Sequence, residues 1–169
     1  MAGEVYFEDN TLKIISASEG AIEAALLECT AEVVSAAARN TRVDTGKTKN
    51  SWRGETQKTS YGYEAVMGSP DENAIWEEFG TGEHALAEGG GGRKGYWVFV
   101  KGSGGGSKKT GKSYTLKEAK QVMAILRSKG LEAYYTNGKE PTRAFHNAIE
   151  SQKPKIAKHF QNKFGIAFK

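Results

Sequence analysis

The sequence is poor in cysteine, proline and histidine, and it has no long apolar run. It contains one Cys, three Pro and three His among 169 residues. A single thiol cannot form an internal disulfide, and Cys29 falls within a helical apolar pattern, which predicts a small buried side chain rather than a reactive one. No apolar stretch approaches the roughly 18 residues that a membrane span needs. The beginning of the chain has neither the basic start nor the apolar stretch of a signal peptide, so we expect folding in the cytoplasm and no membrane contact.

The residue patterns of enzymes and metal sites are also missing. His84, His146 and His159 lie far apart and form no ligand pair at helical spacing. His84 has acidic neighbours, but an exposed loop histidine is the simpler interpretation. The sequence has no nucleophile elbow and no consistent set of nucleophile, base and orienting group. We therefore expect no catalytic, cofactor-binding or metal-binding residues.

One segment matches a phosphate-binding motif in its letters alone. Residues 106–113 place Gly106, Gly111, Lys112 and Ser113 at the spacing of a Walker loop. A working loop follows a buried strand and begins a helix, so that backbone amides meet the phosphate. Here glycines and a serine precede the motif, and the next helix is predicted to begin only near residue 116. A nucleotide-dependent enzyme is therefore a minor alternative, and its signature would be stabilisation by ATP.

The net charge of +4 conceals a strong segregation along the chain. Residues 1–100 contain nine Lys and Arg against sixteen Asp and Glu, a net charge of −7, whereas residues 101–169 contain fifteen against four, a net charge of +11. Such a chain can pair head to tail with copies of itself, or its basic half can bind phosphates, or the charges can simply be solvated.

Apolar periodicity predicts an α+β fold in one domain, residues 18–169, after an N-terminal arm or hairpin over residues 1–17 that turns at Asp9-Asn10. A helix is predicted from Ser18 to Asn40, with Ile22, Leu26, Cys29, Val33 and Ala37 on its buried side. Next come a hairpin (residues 52–59 and 63–67), a short helix (73–80) in which Ile75, Trp76 and Phe79 share a face, and a strand (96–100).

Thr115 and Glu118 form a capping box for a helix over residues 116–129, which Gly130 ends. A strand over 131–136 follows, and Pro141 opens the last helix, where Pro154 predicts a kink or a fresh start near Ser151. The expected architecture is a small, mainly antiparallel sheet flanked by the N-terminal and C-terminal helices, with an inserted helix and flexible loops at 80–95 and 102–113.

Several short motifs follow one another in a definite order. They are Val-Asp-Thr-Gly (43–46) with Asn-Ser-Trp (50–52), Ala-Val-Met-Gly (65–68), Ile-Trp-Glu-Glu-Phe-Gly-Thr-Gly (75–82), Gly-Arg-Lys-Gly-Tyr-Trp-Val-Phe (92–99) and Glu-Pro-Thr-Arg-Ala-Phe (140–145). This order resembles the phage family named after gene product ten of a lambdoid coliphage, over roughly residues 18–164. Two features depart from that family: Thr48 stands where an apolar residue is common, and residues 102–130 add a helix that shorter members lack.

The resemblance implies a structural virion protein of a tailed bacteriophage. Its implied role is a neck, head-tail joining or tail-completion component that forms a homo-oligomeric ring coaxial with the tail. We expect a hexamer, although the sequence leaves both six and twelve subunits open. The implied partners are other neck, connector or tail-tube proteins, with passing DNA as a non-specific contact. A nucleic-acid-binding protein that uses the basic C-terminal half is the alternative of a different class, and salt-dependent DNA binding would favour it.

The candidate site residues fall into three groups. The first is a structural turn, in which Asp44 and Thr45 can accept backbone amides and Gly46 can adopt positive φ; it comprises Asp44, Thr45, Gly46 and Ser51. The second forms corners and packing contacts, with core favoured over subunit contact for the large aromatic side chains; it comprises Trp52, Trp76, Glu78, Phe79, Gly80, Thr81, Trp97, Pro141 and Phe145. The third is a partner-facing or DNA-facing loop group of Arg93, Lys94, Lys108, Lys109 and Lys112.

Overall fold

The computed structural model describes residues 6, 8–89, 92–102, 107–109 and 111–168. The helices are α1 (Thr11–Asn40), α2 (Asn73–Phe79), α3 (Leu116–Ser128) and α4 (Ala144–Ala167). The strands are β1 (Arg53–Thr59), β2 (Gly62–Gly68), β3 (Thr81–Gly82), β4 (Trp97–Lys101), β5 (Ser107–Lys109), β6 (Ala133–Thr136) and β7 (Gly138–Lys139). Short 3-10 turns occupy Lys49–Ser51 and Ala87–Gly89.

The α+β class is confirmed, and every strand pair among the described residues is antiparallel. The described strands form three small sheets, β1-β2, β3-β7 and β5-β4-β6. The chain divides into two compact units, one comprising residues 1–40, 45–70 and 144–169, and the other residues 41–44 and 71–143. No helix in the described part of the chain is long and apolar enough to cross a membrane.

In the first unit, α1 and α4 run antiparallel. The Asn40 side-chain amide at the end of α1 donates to the Ala144 carbonyl at the start of α4, at 3.1 Å. Farther along, His159 Nδ1 lies 3.1 Å from Glu28 Oε2. The interface is built from small side chains, which let the two helices approach closely; its buried residues are Val33, Ala36, Ala37 and Ala148. Cys29 is buried on the same helix, as predicted, and burial, together with Glu32 and Glu28, raises the pKa of its thiol.

The β1-β2 hairpin crosses α1 at a glycine. A Cβ atom at Gly54 would lie 2.2 Å from Thr30 Cγ2 and 3.0 Å from Met67 Cγ. No real Cβ contact is that short, so the crossing requires a residue without a side chain at this position.

In the second unit, α3 packs on one face of the β5-β4-β6 sheet. Val98, Ala119 and Ala133 are completely buried there. The predicted capping box of α3 is present: Glu118 N donates to Thr115 Oγ1 at 3.4 Å, and Thr115 N donates to Glu118 Oε2 at 2.8 Å. Gly130 follows the helix with φ of 75°, as expected of a left-handed stop.

The prediction of an extended arm over residues 1–17 is wrong where the structure describes it. Residues 11–17 form the first turns of α1, and Asp9 accepts the Thr11 amide at 2.9 Å, a capping contact rather than a hairpin turn. Residues 1–5 and 7 lie outside the described residues. A short apolar and polar alternation fits a helix end as well as a strand, and the helical ladder continues backward to Asn10, whose carbonyl accepts Ile14 N at 3.0 Å.

Two expectations for the last helix are also corrected. It begins at Ala144 rather than at Pro141, and of the two alternatives predicted at Pro154, a kink or a fresh start near Ser151, the fresh start is wrong, because one helix continues to Ala167. A proline within a helix costs about 3 kcal/mol. Here the helix is held on both sides of that position, because Ala148 and Gln152 are buried before it and His159 contacts α1 after it. Tertiary packing therefore outweighs the local preference.

Candidate functional site

In the predicted turn after α1, only some of the side chains form hydrogen bonds within the turn. Gly46 has φ of 79°, and its carbonyl accepts Asn50 N at 3.0 Å. Thr45 Oγ1 accepts Lys47 N at 3.4 Å, whereas Asp44 is exposed and accepts no hydrogen bond among the described residues.

Ser51 connects this turn to the end of the hairpin. Its side chain is buried, donates to the Thr48 carbonyl at 2.7 Å and lies 2.6 Å from Ser69 Oγ. The polar Thr48, which departs from the family pattern, thus supplies its backbone oxygen to a local bond.

The predicted aromatic residues separate into core and surface. Trp52 and Phe145 stack with ring centroids 5.5 Å apart and an interplanar angle of 4°, against the α1-α4 core. Trp97 is buried, whereas Trp76 is 44% exposed. Core placement, which was favoured for each tryptophan, is therefore wrong for Trp76.

The reason lies in the orientation of α2. Ala74 and Glu77 are its buried residues, and the adjacent Ile75 is 59% exposed. Ile75 and Trp76 are both exposed, whereas Phe79, predicted to share their face, is half-buried and packs against Gly89. The short helix buries a carboxylate and presents apolar side chains to the surface, the reverse of the usual arrangement.

Glu77 is the centre of a compact polar network, which we call the Glu77 corner. The network comprises Arg42, Glu77, Lys139, Glu140, Thr142 and Arg143. The carboxylate is almost fully buried and accepts bonds from Lys139 Nζ, from Thr142 Oγ1 at 2.8 Å and from Arg42 Nε at 3.4 Å. A buried carboxylate needs such partners, because burial without them costs several kcal/mol, on the order of its lost hydration.

Main-chain bonds close the same corner. The Glu77 carbonyl accepts Thr142 N at 2.8 Å, Thr142 Oγ1 at 2.8 Å and Arg143 N at 3.2 Å. Arg42 also donates through its guanidinium to the Glu140 carbonyl. Arg143 has φ of 49°, a left-handed conformation that an α-helix does not contain, so the helix begins only at the next residue, Ala144.

The protonation of Glu77 follows from this environment. Burial acts to raise its pKa, but the hydrogen bonds from Lys139 and Thr142 and the charges of Lys139 and Arg42 outweigh burial, so the pKa lies below its ordinary value. Glu77 is therefore ionised at neutral pH and serves as a structural anion.

Glycines allow the backbone to pass close to itself beside this network. Gly80 ends α2 with φ of 74°, and a Cβ there would lie 2.8 Å from the Lys139 carbonyl oxygen and 2.9 Å from Pro141 Cδ. Thr81 Oγ1 accepts Lys139 N at 3.0 Å, next to the β3-β7 pairing. The predicted Gly80, Thr81 and Pro141 are thus brought together, and Phe79 packs beside them against Gly89.

Sequence reasoning selected Glu78 and missed Glu77, which is the buried member of the pair. Glu78 is only half-buried. The local pattern could not separate the two, because Glu77 and Glu78 lie three and four residues after Ala74 and both spacings fall on the same helical face.

The predicted basic loop residues occupy different environments. The Arg93 guanidinium lies 5.5 Å from the centre of the Trp97 ring, and its Nε donates to Ser113 Oγ at 2.9 Å. Lys94 and Lys112 are exposed. Lys108 and Lys109 lie in β5, where they pair with Val100 and Phe99.

The position of β5 tests the Walker-like motif of residues 106–113. Ser107–Lys109 form a strand, and the next helix begins at Leu116, so the backbone of the described residues does not form a phosphate loop that leads directly into a helix. Gly106 lies outside the described residues. Among the described residues, no group of three or more His, Cys, Asp or Glu side chains could hold a metal ion.

The first ten residues of α1, which we call the α1 overhang (residues 11–20), are not buried by any element of the described residues. Leu12, Ile14 and Ile15 are 80%, 54% and 49% exposed, and no residue of the overhang is buried. Among the described ion pairs that join α1 to another element, the one nearest to the start of α1 is formed by Glu19 and Lys58, at 2.7 Å. At 1.5 Å per residue the overhang is about 15 Å long.

The chain was compared with known protein families. Residues 11–80 match the model of the HK97-gp10-like family, described as "Bacteriophage HK97-gp10, putative tail-component". The match confirms the resemblance given by the sequence motifs and indicates a bacteriophage tail component. Comparisons with curated proteins and with solved structures found no significant match.

Proposed function

We propose that this tail-component homologue is a structural virion protein that forms a homo-oligomeric ring at the neck, where it joins head to tail or completes the tail. The expected ring is a hexamer, and its expected neighbours are other neck, connector or tail-tube proteins. The role is mechanical and uses no cofactor. The family match over residues 11–80 supports the tail assignment, and the surface of α1 supports the ring.

The α1 overhang is the observation that carries the proposal. Helical stability in proteins comes chiefly from packing of an apolar face. The overhang has exposed apolar residues, and none of its residues is buried by the described part of the chain. Full burial of one Leu or Ile side chain contributes roughly 1.5–3 kcal/mol, so Leu12, Ile14 and Ile15 together provide a substantial driving force for association.

A second copy of the chain is the occupant that we assign to the overhang. In a closed ring every protomer offers the same overhang and the same receiving surface, so each exposed overhang is covered without leaving an end. The overhang therefore fits a subunit contact that repeats around a ring. The exposed Ile75 and Trp76 on α2 offer a second apolar surface, suited to a neighbouring tail protein.

The test is the oligomeric state of the full chain, measured by analytical ultracentrifugation. The wild type is expected to form a discrete ring, and the double variant Leu12→Asp and Ile15→Asp is expected to sediment as a monomer with nearly unchanged circular dichroism. The matched control, Val43→Asp and Ile125→Asp, changes two residues that are 62% and 56% exposed elsewhere, and it should still form the ring.

Electron microscopy of virions with this chain labelled tests the location. Label at the junction of head and tail supports the proposal. A wild-type chain that stays monomeric at tens of micromolar and is absent from virions would end it.

A further inference from the structure

Positive charge is concentrated in one continuous part of the second unit. Residues 92–139 contain eleven Lys and Arg but only two acidic residues, Glu118 and Glu132. Glu118 is used in the capping box of α3, and Glu132 accepts the Tyr134 hydroxyl at 2.6 Å and lies 3.8 Å from Lys101. Both carboxylates are therefore already engaged within the unit.

The outer side of α3 carries an exposed set of cations. Ala119 faces the sheet and is completely buried, whereas Lys117 and Lys120 point to solvent. Lys112 and Lys129 flank the helix and are also exposed. Within the described residues, no carboxylate lies at ion-pair distance from these four lysines.

Arg127 extends this set at the end of α3. Its guanidinium carbon lies 5.4 Å from the centre of the Tyr134 ring, and its Nε donates to the Ala133 carbonyl at 2.9 Å. The ring and the carbonyl hold the cation in place, while its remaining N–H groups stay available to an anion. We call Lys112, Lys117, Lys120, Arg127 and Lys129 the α3 basic surface.

Other copies of the chain offer exposed carboxylates such as Asp44 and Glu88, but these are single residues far apart in the sequence. Several other carboxylates are already paired internally: Glu19 with Lys58, Glu28 with Lys163, Glu77 with Lys139 and Glu150 with Lys153. A phosphate polymer, by contrast, presents about one charge per 1.7 Å of duplex axis and requires no matching fold.

We infer that the α3 basic surface binds the phosphate backbone of duplex DNA without sequence preference. The cations are lysines on an exposed helix side and one arginine fixed by an aromatic ring, which suits phosphate contact rather than base recognition. The inference rests on the proposed function for its setting, because a neck ring encloses the path of the phage genome. There the surface would contact DNA held in or passing through the ring.

The experiment measures binding of the full chain to a fluorescent 30-base-pair duplex of random sequence, by anisotropy between 50 and 200 mM salt. The variant Lys117→Gln and Lys120→Gln is compared with Lys49→Gln and Lys158→Gln, which removes the same charge from exposed lysines of the first unit. Each phosphate contact contributes about 0.9 to the slope of log affinity against log salt concentration. The α3 variant should therefore lose about 1.8 of that slope and roughly tenfold or more in affinity, and the control should bind nearly as the wild type does.

Three results would overturn the inference. They are absence of wild-type binding at 50 mM salt, an equal loss of affinity in both variants, and displacement of DNA by poly-L-glutamate at equal charge concentration, which would indicate an acidic protein surface as the natural occupant. Labelled virions separate the two proposals: a chain that is present at the neck but does not bind DNA retains its proposed function and loses only this site.

Discussion

Glu77 and Lys139, which lie 62 positions apart in the sequence, form an ion pair. The Glu77 side chain is only 5% exposed, whereas the Lys139 side chain is 42% exposed. The pair is therefore asymmetric. Loss of the lysine leaves a buried anion with fewer partners, whereas loss of the glutamate leaves cations that can turn toward water.

We expect Glu77→Ala to destabilise the protein by about 2–3 kcal/mol. Breaking a buried pair usually costs 3–5 kcal/mol, and the exposure of Arg42 and Lys139 reduces that cost. Urea unfolding followed by circular dichroism measures it. Glu88→Gln, at an exposed position, is the control and should change the free energy of unfolding by less than about 0.5 kcal/mol. Equal effects of the two substitutions would show that the Glu77 corner contributes little.

The stability that Glu77 supplies should depend on pH. Its pKa is lower in the folded protein than the ordinary value of 4.5, so its contribution is complete above that value and disappears as the pH falls through the lower, folded pKa. The difference in melting temperature between wild type and Glu77→Gln should thus be constant from pH 7 to about 5 and shrink below pH 4.5. A difference that stayed the same down to pH 3 would contradict the assigned ionisation.

Gly54→Ala should destabilise the first unit by about 1–3 kcal/mol, the usual cost of overpacking. The added methyl group would meet Thr30 Cγ2 at 2.2 Å. Gly68→Ala is the matched control, because Gly68 pairs with Arg53 in the same hairpin and a Cβ there meets nothing within 4 Å. Thermal unfolding of both variants gives the comparison.

A second substitution identifies the clash. Thr30→Ser removes the methyl group but keeps the hydroxyl that donates to the Leu26 carbonyl at 2.7 Å. In the Gly54→Ala background it should recover part of the lost stability, a positive coupling in a double-mutant cycle. Strictly additive effects would place the strain elsewhere.

Thr115→Ala should lower the free energy of unfolding by about 1 kcal/mol, because it removes the N-cap of α3. Thr115→Ser keeps the hydroxyl and should cost much less. Hydrogen exchange of the first-turn amides of α3 is the direct measurement, and the Glu118 amide, which donates to Thr115 Oγ1, should lose protection in the alanine variant alone. Unchanged exchange at that amide would contradict a capping role.

Elements with strong local signals were predictable from sequence. The β1-β2 hairpin, the capping box at Thr115 and the left-handed stops at Gly80 and Gly130 all occur where the sequence places them. Each depends on a few neighbouring residues, whose steric and hydrogen-bonding preferences act within one or two turns of chain. The α+β class and the order of elements follow from the same local patterns.

The sequence by itself thus determined most of the elements and the resemblance to a phage tail-component family that residues 11–80 match, while the tertiary structure alone decided which side chains those elements bury. Nothing local distinguishes Glu77 from Glu78, because the choice depends on cations at Arg42 and Lys139 that lie far away in the chain. The continuation of α4 through Pro154 likewise depends on its packing against α1, and Leu12 is exposed because the described elements do not cover that end of α1. A side chain is buried only when two elements pack together, so the free energy gained from burial depends on contacts between segments that are distant in the sequence.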